Sequence, residues 1–184
     1  MKRISKRLSI GVLAAAAVTV LPFVSQPVMA SLQQAGETIS QALQRPQVKL
    51  NLSAEKQVVQ SDNTAWQALQ GDVTVVPGDV LRYTVTGENA GQVAANKLVV
   101  TQPIPQKMTY RLDTATDTAN ANKRYSIDGG KTFTAQPMVE VTLPNGKTEM
   151  RPAPATAYTH VRWQFQNHLN PDAAMTASYE VTVR

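Results

Sequence analysis

The segment YSIDGGKTF, residues 125–133, holds the densest set of side chains that could take part in chemistry. Ser126, Asp128 and Thr132 bring two hydroxyl groups and a carboxylate within a few positions of each other. The tripeptide GKT at residues 130–132 also matches the end of a phosphate-binding loop. This spacing raises three possibilities, which are an enzyme fragment, a nucleotide site and a purely structural turn.

The phosphate-loop interpretation fails at its first glycine. The motif G-x-x-x-x-G-K-T requires glycine at position 125, where this chain has Tyr125. Such a loop must also lead into a helix whose first amides face the phosphate, whereas residues 132–134 have the composition of an extended segment. The sequence therefore predicts no nucleotide site in this segment.

The spacing S-x-D-x-G-x-T-F of residues 126–133 resembles the Asp-box of sialidase propeller blades. The resemblance implies a hairpin, because the box in those enzymes lies away from the catalytic centre. The box occurs once here, whereas a propeller needs several blades of about four strands each. We therefore favour a hairpin in which Asp128 bonds nearby backbone amides and Gly129 and Gly130 take positive φ. A hydrolase fragment is the third of our functional hypotheses.

Other candidates for catalysis or metal binding are few. His160 and His168 are the two histidines of the chain, and neither a G-x-S-x-G elbow nor an H-x-x-x-H pair accompanies them. His160 precedes an inward-facing valine, which predicts a solvated position. Residues 113–122 offer oxygen ligands suited to calcium, but their spacing matches no calcium loop, and a mobile inter-strand loop is favoured. We predict a protein that is not an enzyme, with no catalytic residue, cofactor or metal site.

Residues 1–30 have the pattern of a secretory signal peptide. Four basic residues precede an apolar run at 10–24, and the tripeptide VMA at 28–30 offers a small-residue cleavage site. An uncleaved anchor is the alternative, but the run is shorter than the ~18 residues that a spanning helix usually needs. We therefore expect an exported protein of the periplasm, cell surface or extracellular space, with no stable membrane span after cleavage.

Removal of the leader would lower the formal charge from +5 to about +1, because the leader holds four basic residues and no acidic ones. No run of Lys and Arg remains that could follow a phosphate backbone, so nucleic acid is not an expected partner. The chain has no cysteine, which excludes disulfides and thiolate chemistry.

The remaining residues divide into a linker and one domain. Residues 31–46 are rich in glutamine and predict a linker or one short helix that ends at Pro46. Beyond it the apolar residues alternate with a period of two in five segments and turn signals separate them, which predicts short half-buried strands. The five segments are 48–52, 81–86, 139–143, 161–165 and 179–183. Without crossover helices, about seven to nine such strands form an antiparallel β-sandwich, here over residues 47–184.

The domain over about residues 47–184 resembles a known family, most specifically at residues 73–110. The sequence VPGDVLRYTV at 76–85, the Asn89-x-Gly91 pattern and the QPIP sequence at 102–105 are similar to the prokaryotic conserved-repeat domain of unknown function eleven. That family occurs in secreted and surface proteins, and the resemblance implies an immunoglobulin-like sandwich with no catalytic residues to transfer. We interpret Asn89 and Gly91 as suppliers of left-handed conformations for a turn. A single copy in place of a tandem array argues against a stalk-like spacer.

These observations predict an exported, non-catalytic interaction or scaffolding module at the bacterial cell envelope. Its partner would be an envelope or extracellular protein or a glycan, contacted through residues 113–122 and 144–157. The alternative is a carbohydrate- or calcium-dependent binding module, for which Trp66 is the candidate exposed aromatic residue. Trp163 shares the parity of the inward-facing residues around it and is assigned to the core.

Overall fold

The computed structural model describes residues 17–18, 45–60, 63–70 and 73–184. Most of the predicted signal peptide and residues 31–44 of the predicted linker lie outside this part of the chain. The described residues form an all-β, antiparallel structure, with a single short 3-10 turn at Ala155–Ala157, which confirms the predicted fold class. Within the same residues, no helix has the length and apolar character needed to cross a membrane.

The strands form two main sheets and a separate hairpin. In chain order the strands are β1 (Ala17–Val18), β2 (Val48–Gln60), β3 (Asn63–Ala68), β4 (Val80–Asn89), β5 (Val99–Pro103), β6 (Met108–Tyr110), β7 (Thr116–Asp117), β8 (Ala121–Ser126), β9 (Met138–Thr142), β10 (Thr148–Pro152), β11 (His160–Phe165) and β12 (Ala174–Val183). The large sheet has the order β3-β2-β4-β12-β6, with β7 also paired to β12, and the small sheet has the order β1-β5-β11-β8. Strand β1, which falls within the predicted leader, pairs with β5.

Alternating burial along the central strands confirms the predicted period of two. In β4 every second residue from Leu81 to Asn89 is buried, and β12 shows the same pattern opposite it. In β11 the buried row is Val161, Trp163 and Phe165, as the sequence predicts. Because successive side chains of a strand point to opposite faces, each of these strands contributes one row to the core.

Aromatic side chains join the two sheets. Trp163 of the small sheet lies 6.1 Å from Tyr179 of the large sheet, measured between ring centroids, and Tyr179 stacks on Tyr83 at 5.6 Å. Tyr110 bridges in the same way to Tyr125 at 5.6 Å. Trp163 is 0% exposed, which confirms its assignment to the core. Tilted aromatic pairs at these distances stabilise the interface beyond the area that they bury.

Two of these buried aromatic residues also have their polar atoms satisfied. The indole Nε1 of Trp163 donates to the carbonyl oxygen of Thr116 at 3.1 Å, and the hydroxyl of Tyr179 donates to the carbonyl oxygen of Pro103 at 2.9 Å. Burial raises the pKa of Tyr179 well above its ordinary value, so the hydroxyl keeps its proton. The two hydrogen bonds therefore fix the orientation of these buried rings.

The interpretation of Asn89 and Gly91 as left-handed turn residues is wrong, since neither has a positive φ. The side chain of Asn89 instead ties three chain segments together. Its Oδ1 accepts from the amides of Gln47 and Gly91, both at 3.1 Å. Its Nδ2 donates to the carbonyl oxygens of Val93 at 2.8 Å and Leu169 at 2.9 Å.

Glycine is needed at position 91 for a different reason from the one that the sequence suggested. A Cβ there would lie 2.6 Å from the amide nitrogen of Gln47. Gly91 therefore allows a close approach of two backbone segments. The turn at residues 77–78 does use a left-handed glycine, because Gly78 has a φ of 93°.

Strand β9 departs from the predicted architecture. Its alternating sequence suggested a strand of the sandwich, yet among the described residues it pairs with β10 alone and joins neither main sheet. Without this hairpin and the two-residue strands, the layers contain eight strands in the described chain, five in the large sheet and three in the small one. That number agrees with the predicted seven to nine.

Candidate functional site

The Asp-box segment forms a hairpin loop organised by one carboxylate. Oδ1 of Asp128 accepts from the Ser126 hydroxyl at 2.7 Å and from the Lys131 amide at 3.0 Å. Oδ2 accepts from the Thr132 hydroxyl at 2.6 Å, and the Thr132 amide lies 3.0 Å from both oxygens. Both carboxylate oxygens are therefore engaged by the loop itself, which confirms the predicted hairpin in which Asp128 bonds nearby backbone amides.

The rest of the loop is hydrogen-bonded to Thr159, the residue just before β11. The Gly130 amide donates to the Ser126 hydroxyl oxygen at 2.9 Å, while the Thr159 hydroxyl donates to the Ser126 carbonyl oxygen at 3.1 Å. Gly129 and Gly130 have the predicted positive φ values, 77° and 85°. Beyond the loop the chain makes a β-bridge at Thr134, whereas a phosphate-binding loop would continue into a helix.

The electrostatics of Asp128 follow from these bonds. The hydroxyl and amide of Thr132, followed by the hydroxyl of Ser126, hold the pKa of the carboxyl far below its ordinary value. The group therefore stays ionised at neutral pH and acts as an acceptor for its own loop.

Asp128→Asn should loosen this loop, because an amide offers one acceptor oxygen in place of two and loses the negative charge. We expect faster amide hydrogen exchange at Lys131 and Thr132 with little change in the core strands, measured by NMR.

The stability of the loop should also depend on pH. Since the folded-state pKa of Asp128 is lowered, its contribution to loop stability is complete above the unfolded-state pKa of about 4 and is lost as pH falls toward the folded value. The wild-type loop should thus loosen on acidification, whereas the loop of the variant should not respond. Equal exchange rates in both proteins at neutral pH would contradict this role.

His160 lies beside this loop, on the outer face of the small sheet. Its Nδ1 is 3.1 Å from the Thr159 hydroxyl oxygen, and its ring meets that of Phe133 edge-on at 6.3 Å between centroids. Burial and the charge of Arg162 lower the pKa of His160, against an opposing effect of Asp128, so the ring is neutral at pH 7. The ring is half-buried and packed, in contrast to the solvated position that we expected.

The two histidines do not form a site together. His160 begins β11, whereas His168 follows the other end of that strand and is exposed. The chain therefore places them at opposite ends of one extended segment.

Arg162 lies next to His160 on the outer face and is held from two sides. Its Nε donates to the Thr101 hydroxyl oxygen at 3.0 Å, and its guanidinium carbon lies 3.4 Å from the centroid of the Phe133 ring. On the neighbouring strand, Arg124 is directly opposite Arg162. The outer face of the small sheet thus presents two adjacent cations.

Trp66 does not provide the exposed aromatic platform that the alternative hypothesis, a carbohydrate-binding module, requires. It lies on the edge strand β3, is half-buried, and has the guanidinium of Arg82 at 4.1 Å from its ring centroid. Arg82 in turn donates to Oε2 of Glu55 through Nε at 2.9 Å and through a terminal nitrogen at 2.7 Å. One ring face is therefore covered by a fixed cation, and a sugar could not stack there.

Residues 113–122 are more ordered than the mobile loop that we favoured. Asp117 belongs to β7, and its carboxylate accepts from Lys123 at 2.7 Å and from the amides of Ala119 and Ala121 at 3.1 and 2.9 Å. Burial acts to raise the pKa of Asp117, but these bonds hold it below its ordinary value. In the described chain no group of three or more Asp, Glu, His or Cys side chains is arranged to hold a metal ion.

No protein-family model, curated protein or solved structure matches this chain. The similarity to the domain of unknown function eleven therefore stays a prediction that depends on residues 76–105.

Proposed function

We propose that the chain is an exported, non-catalytic interaction or scaffolding module of the bacterial cell envelope, and that the hairpin β9–β10 is its main contact element. The observation that carries this proposal is the position of the hairpin outside both sheets. Export is supported by the leader pattern of residues 1–30, and an immunoglobulin-like topology is supported by the resemblance of residues 76–105.

The hairpin offers backbone groups to a partner. Its two strands pair along their whole length, with Met138 opposite Pro152 and Thr142 opposite Thr148. In the described structure no other strand is hydrogen-bonded to the outer edge of either strand. An unpaired edge presents alternating amide donors and carbonyl acceptors, which can accept a strand from another protein. A two-stranded ribbon is also marginally stable alone, so a partner strand would stabilise it.

The side chains of the hairpin differ between its faces. On one face Val139 and Val141 are half-buried beside the ion pair of Arg151 with Glu149. On the other face lie Met138 and Met150, whose exposed fractions are 40% and 59%. Methionine is enriched at protein interfaces, because its flexible thioether chain adapts to irregular apolar surfaces. The second face therefore suits a protein partner.

Photo-crosslinking tests this contact surface. A photoreactive phenylalanine analogue at position 150 should give defined crosslinked products in cells that produce the full chain. The same analogue at Thr64, an exposed residue on edge strand β3, serves as the control. Crosslinks at position 64 but not at position 150 would contradict the assignment of the hairpin. Recovery of the protein in the cytoplasm alone would contradict export.

A hairpin deletion provides an independent check on folding. The amide of Ala153 donates to the carbonyl oxygen of Pro137 at 2.9 Å, so the two ends of the hairpin are already adjacent. Replacing residues 138–152 with a short Gly-Ser turn should keep the thermal melt of the sandwich and abolish the crosslinked complex. Retention of the complex in this variant would overturn the proposal.

A further inference from the structure

The arginines on the outer faces of the two main sheets have different cross-strand neighbours. In the large sheet Arg82 of β4 lies between two carboxylates, since its cross-strand neighbours are Glu55 on β2 and Glu180 on β12. In the small sheet the corresponding neighbours of Arg162 are Thr101 on β5 and Arg124 on β8. The large sheet therefore neutralises its arginine internally, whereas the small sheet places a second cation beside its own.

Two like charges directly opposite each other on neighbouring strands destabilise a sheet, because their Cβ atoms are about 4.5 to 5.5 Å apart. Neither Arg124 nor Arg162 forms an ion pair with a carboxylate among the described residues. The nearby carboxylate of Asp128 already accepts hydrogen bonds from its own loop. Arg124 and Arg162 therefore carry two adjacent positive charges without a protein counter-ion in the described structure.

The guanidinium of Arg162 is pre-positioned for a ligand. The Thr101 hydroxyl holds its Nε and the Phe133 ring lies against its face, so the group has lost much of its freedom before any ligand arrives. In the described structure its two terminal nitrogens donate to no protein acceptor. These nitrogens form the fork that binds two oxygens of a phosphate or carboxylate at once.

We propose that the outer face of the small sheet, at Arg162 and Arg124, is a binding site for a phosphate group. Phosphate fits better than a single carboxylate, because a phosphate monoester carries close to two negative charges at neutral pH and has three terminal oxygens. Arg162 supplies a fixed bidentate contact, and the exposed Arg124 closes on the remaining oxygen from the adjacent strand. Phe133 and the neutral His160 border the site without adding negative charge.

Titration with inorganic phosphate tests the site at about pH 7.5 and constant ionic strength, followed by NMR of the full mature chain. We expect saturable shifts with a Kd of about 1 mM, in keeping with a few charge-assisted hydrogen bonds at an open surface. Arg162→Gln should weaken binding by about tenfold or more, and Arg124→Gln by a smaller factor. Lys49→Gln, which removes an exposed cation from the large sheet, should leave the Kd within about twofold.

Two further measurements keep the test decisive. Arg124→Lys retains the charge without the guanidinium fork, and since Arg124 is exposed this variant should fold normally while binding phosphate more weakly. Vesicles of phosphatidic acid, compared with phosphatidylcholine, show whether a lipid-borne phosphate is preferred to the free ion. Binding to either phosphate probe that weakens in Arg124→Gln or Arg162→Gln supports the site. The site would be overturned if neither probe binds. It would also be overturned if Lys49→Gln weakens phosphate binding as much as the arginine variants do. The hairpin variants of the proposed function should leave these results unchanged, so the two proposals fail separately.

Discussion

Trp163→Ala should lower the free energy of unfolding by about 3 to 5 kcal/mol, the range typical of a buried large aromatic side chain. Trp163 is 0% exposed and connects the two sheets through Tyr179. Truncation would leave a cavity at this junction and the carbonyl oxygen of Thr116 without its indole donor. Urea denaturation of both proteins, with a common m-value, would give the difference directly.

Trp163→Phe is the matched control for this prediction. It keeps an aromatic ring between the sheets but removes the indole donor and part of the volume, so a smaller loss of about 1 to 3 kcal/mol is expected. A loss below about 1 kcal/mol for Trp163→Ala would mean that the site can collapse and that this residue is not central to the core.

Asn89→Leu should have an effect of similar size, about 3 to 5 kcal/mol, although the substitution is apolar and close in volume. Asn89 is 0% exposed and makes four hydrogen bonds to backbone groups. Leucine would leave the amides of Gln47 and Gly91 and two carbonyl groups without this partner, and each unsatisfied buried group costs about 1 to 3 kcal/mol when it stays buried. Thermal or urea unfolding would measure the loss.

Asn89→Asp distinguishes this network from simple packing. A carboxylate oxygen would replace the Nδ2 donor that faces the carbonyl oxygens of Val93 and Leu169, so the ionised form is disfavoured and its folded-state pKa should rise. The destabilisation should then be largest near pH 7 and decrease toward about pH 5, as the carboxyl becomes protonated in the folded state. The Asn89→Leu loss should not show this dependence. A pH-independent Asn89→Asp loss would contradict the network.

Several features of the fold could be predicted because they depend on local chemistry. The rows Leu81-Tyr83-Val85 and Val161-Trp163-Phe165 follow from the two-residue period of a strand, whichever neighbour it pairs with. The bonds that Asp128 and the Ser126 hydroxyl make inside the Asp-box loop are equally local, since they join residues at most four apart. Short-range rules of turns and pleats therefore sufficed for these features.

The sequences of other strands show no clear pattern of apolar residues. Strand β8 has few apolar residues, and its Lys123 is accommodated because Asp117 of β7 supplies a buried carboxylate. Strand β3 contains Trp66, whose environment depends on Arg82 and Glu55 from two other strands. In both cases the partner that makes the residue acceptable comes from elsewhere in the sheet, so the segment alone could not reveal it.

The amino-acid sequence by itself determined which side chains of each strand turn inward and where the Asp-box loop forms, because both depend on neighbouring residues. The tertiary structure alone decided that β9 leaves the sandwich, that Asn89 joins separate segments, and that Arg162 meets Arg124. These outcomes depend on contacts such as that of Arg162 with Thr101, which is 61 positions away in the chain. Local propensity carries no information about which distant segments meet, and the burial of the whole core selects the pairing.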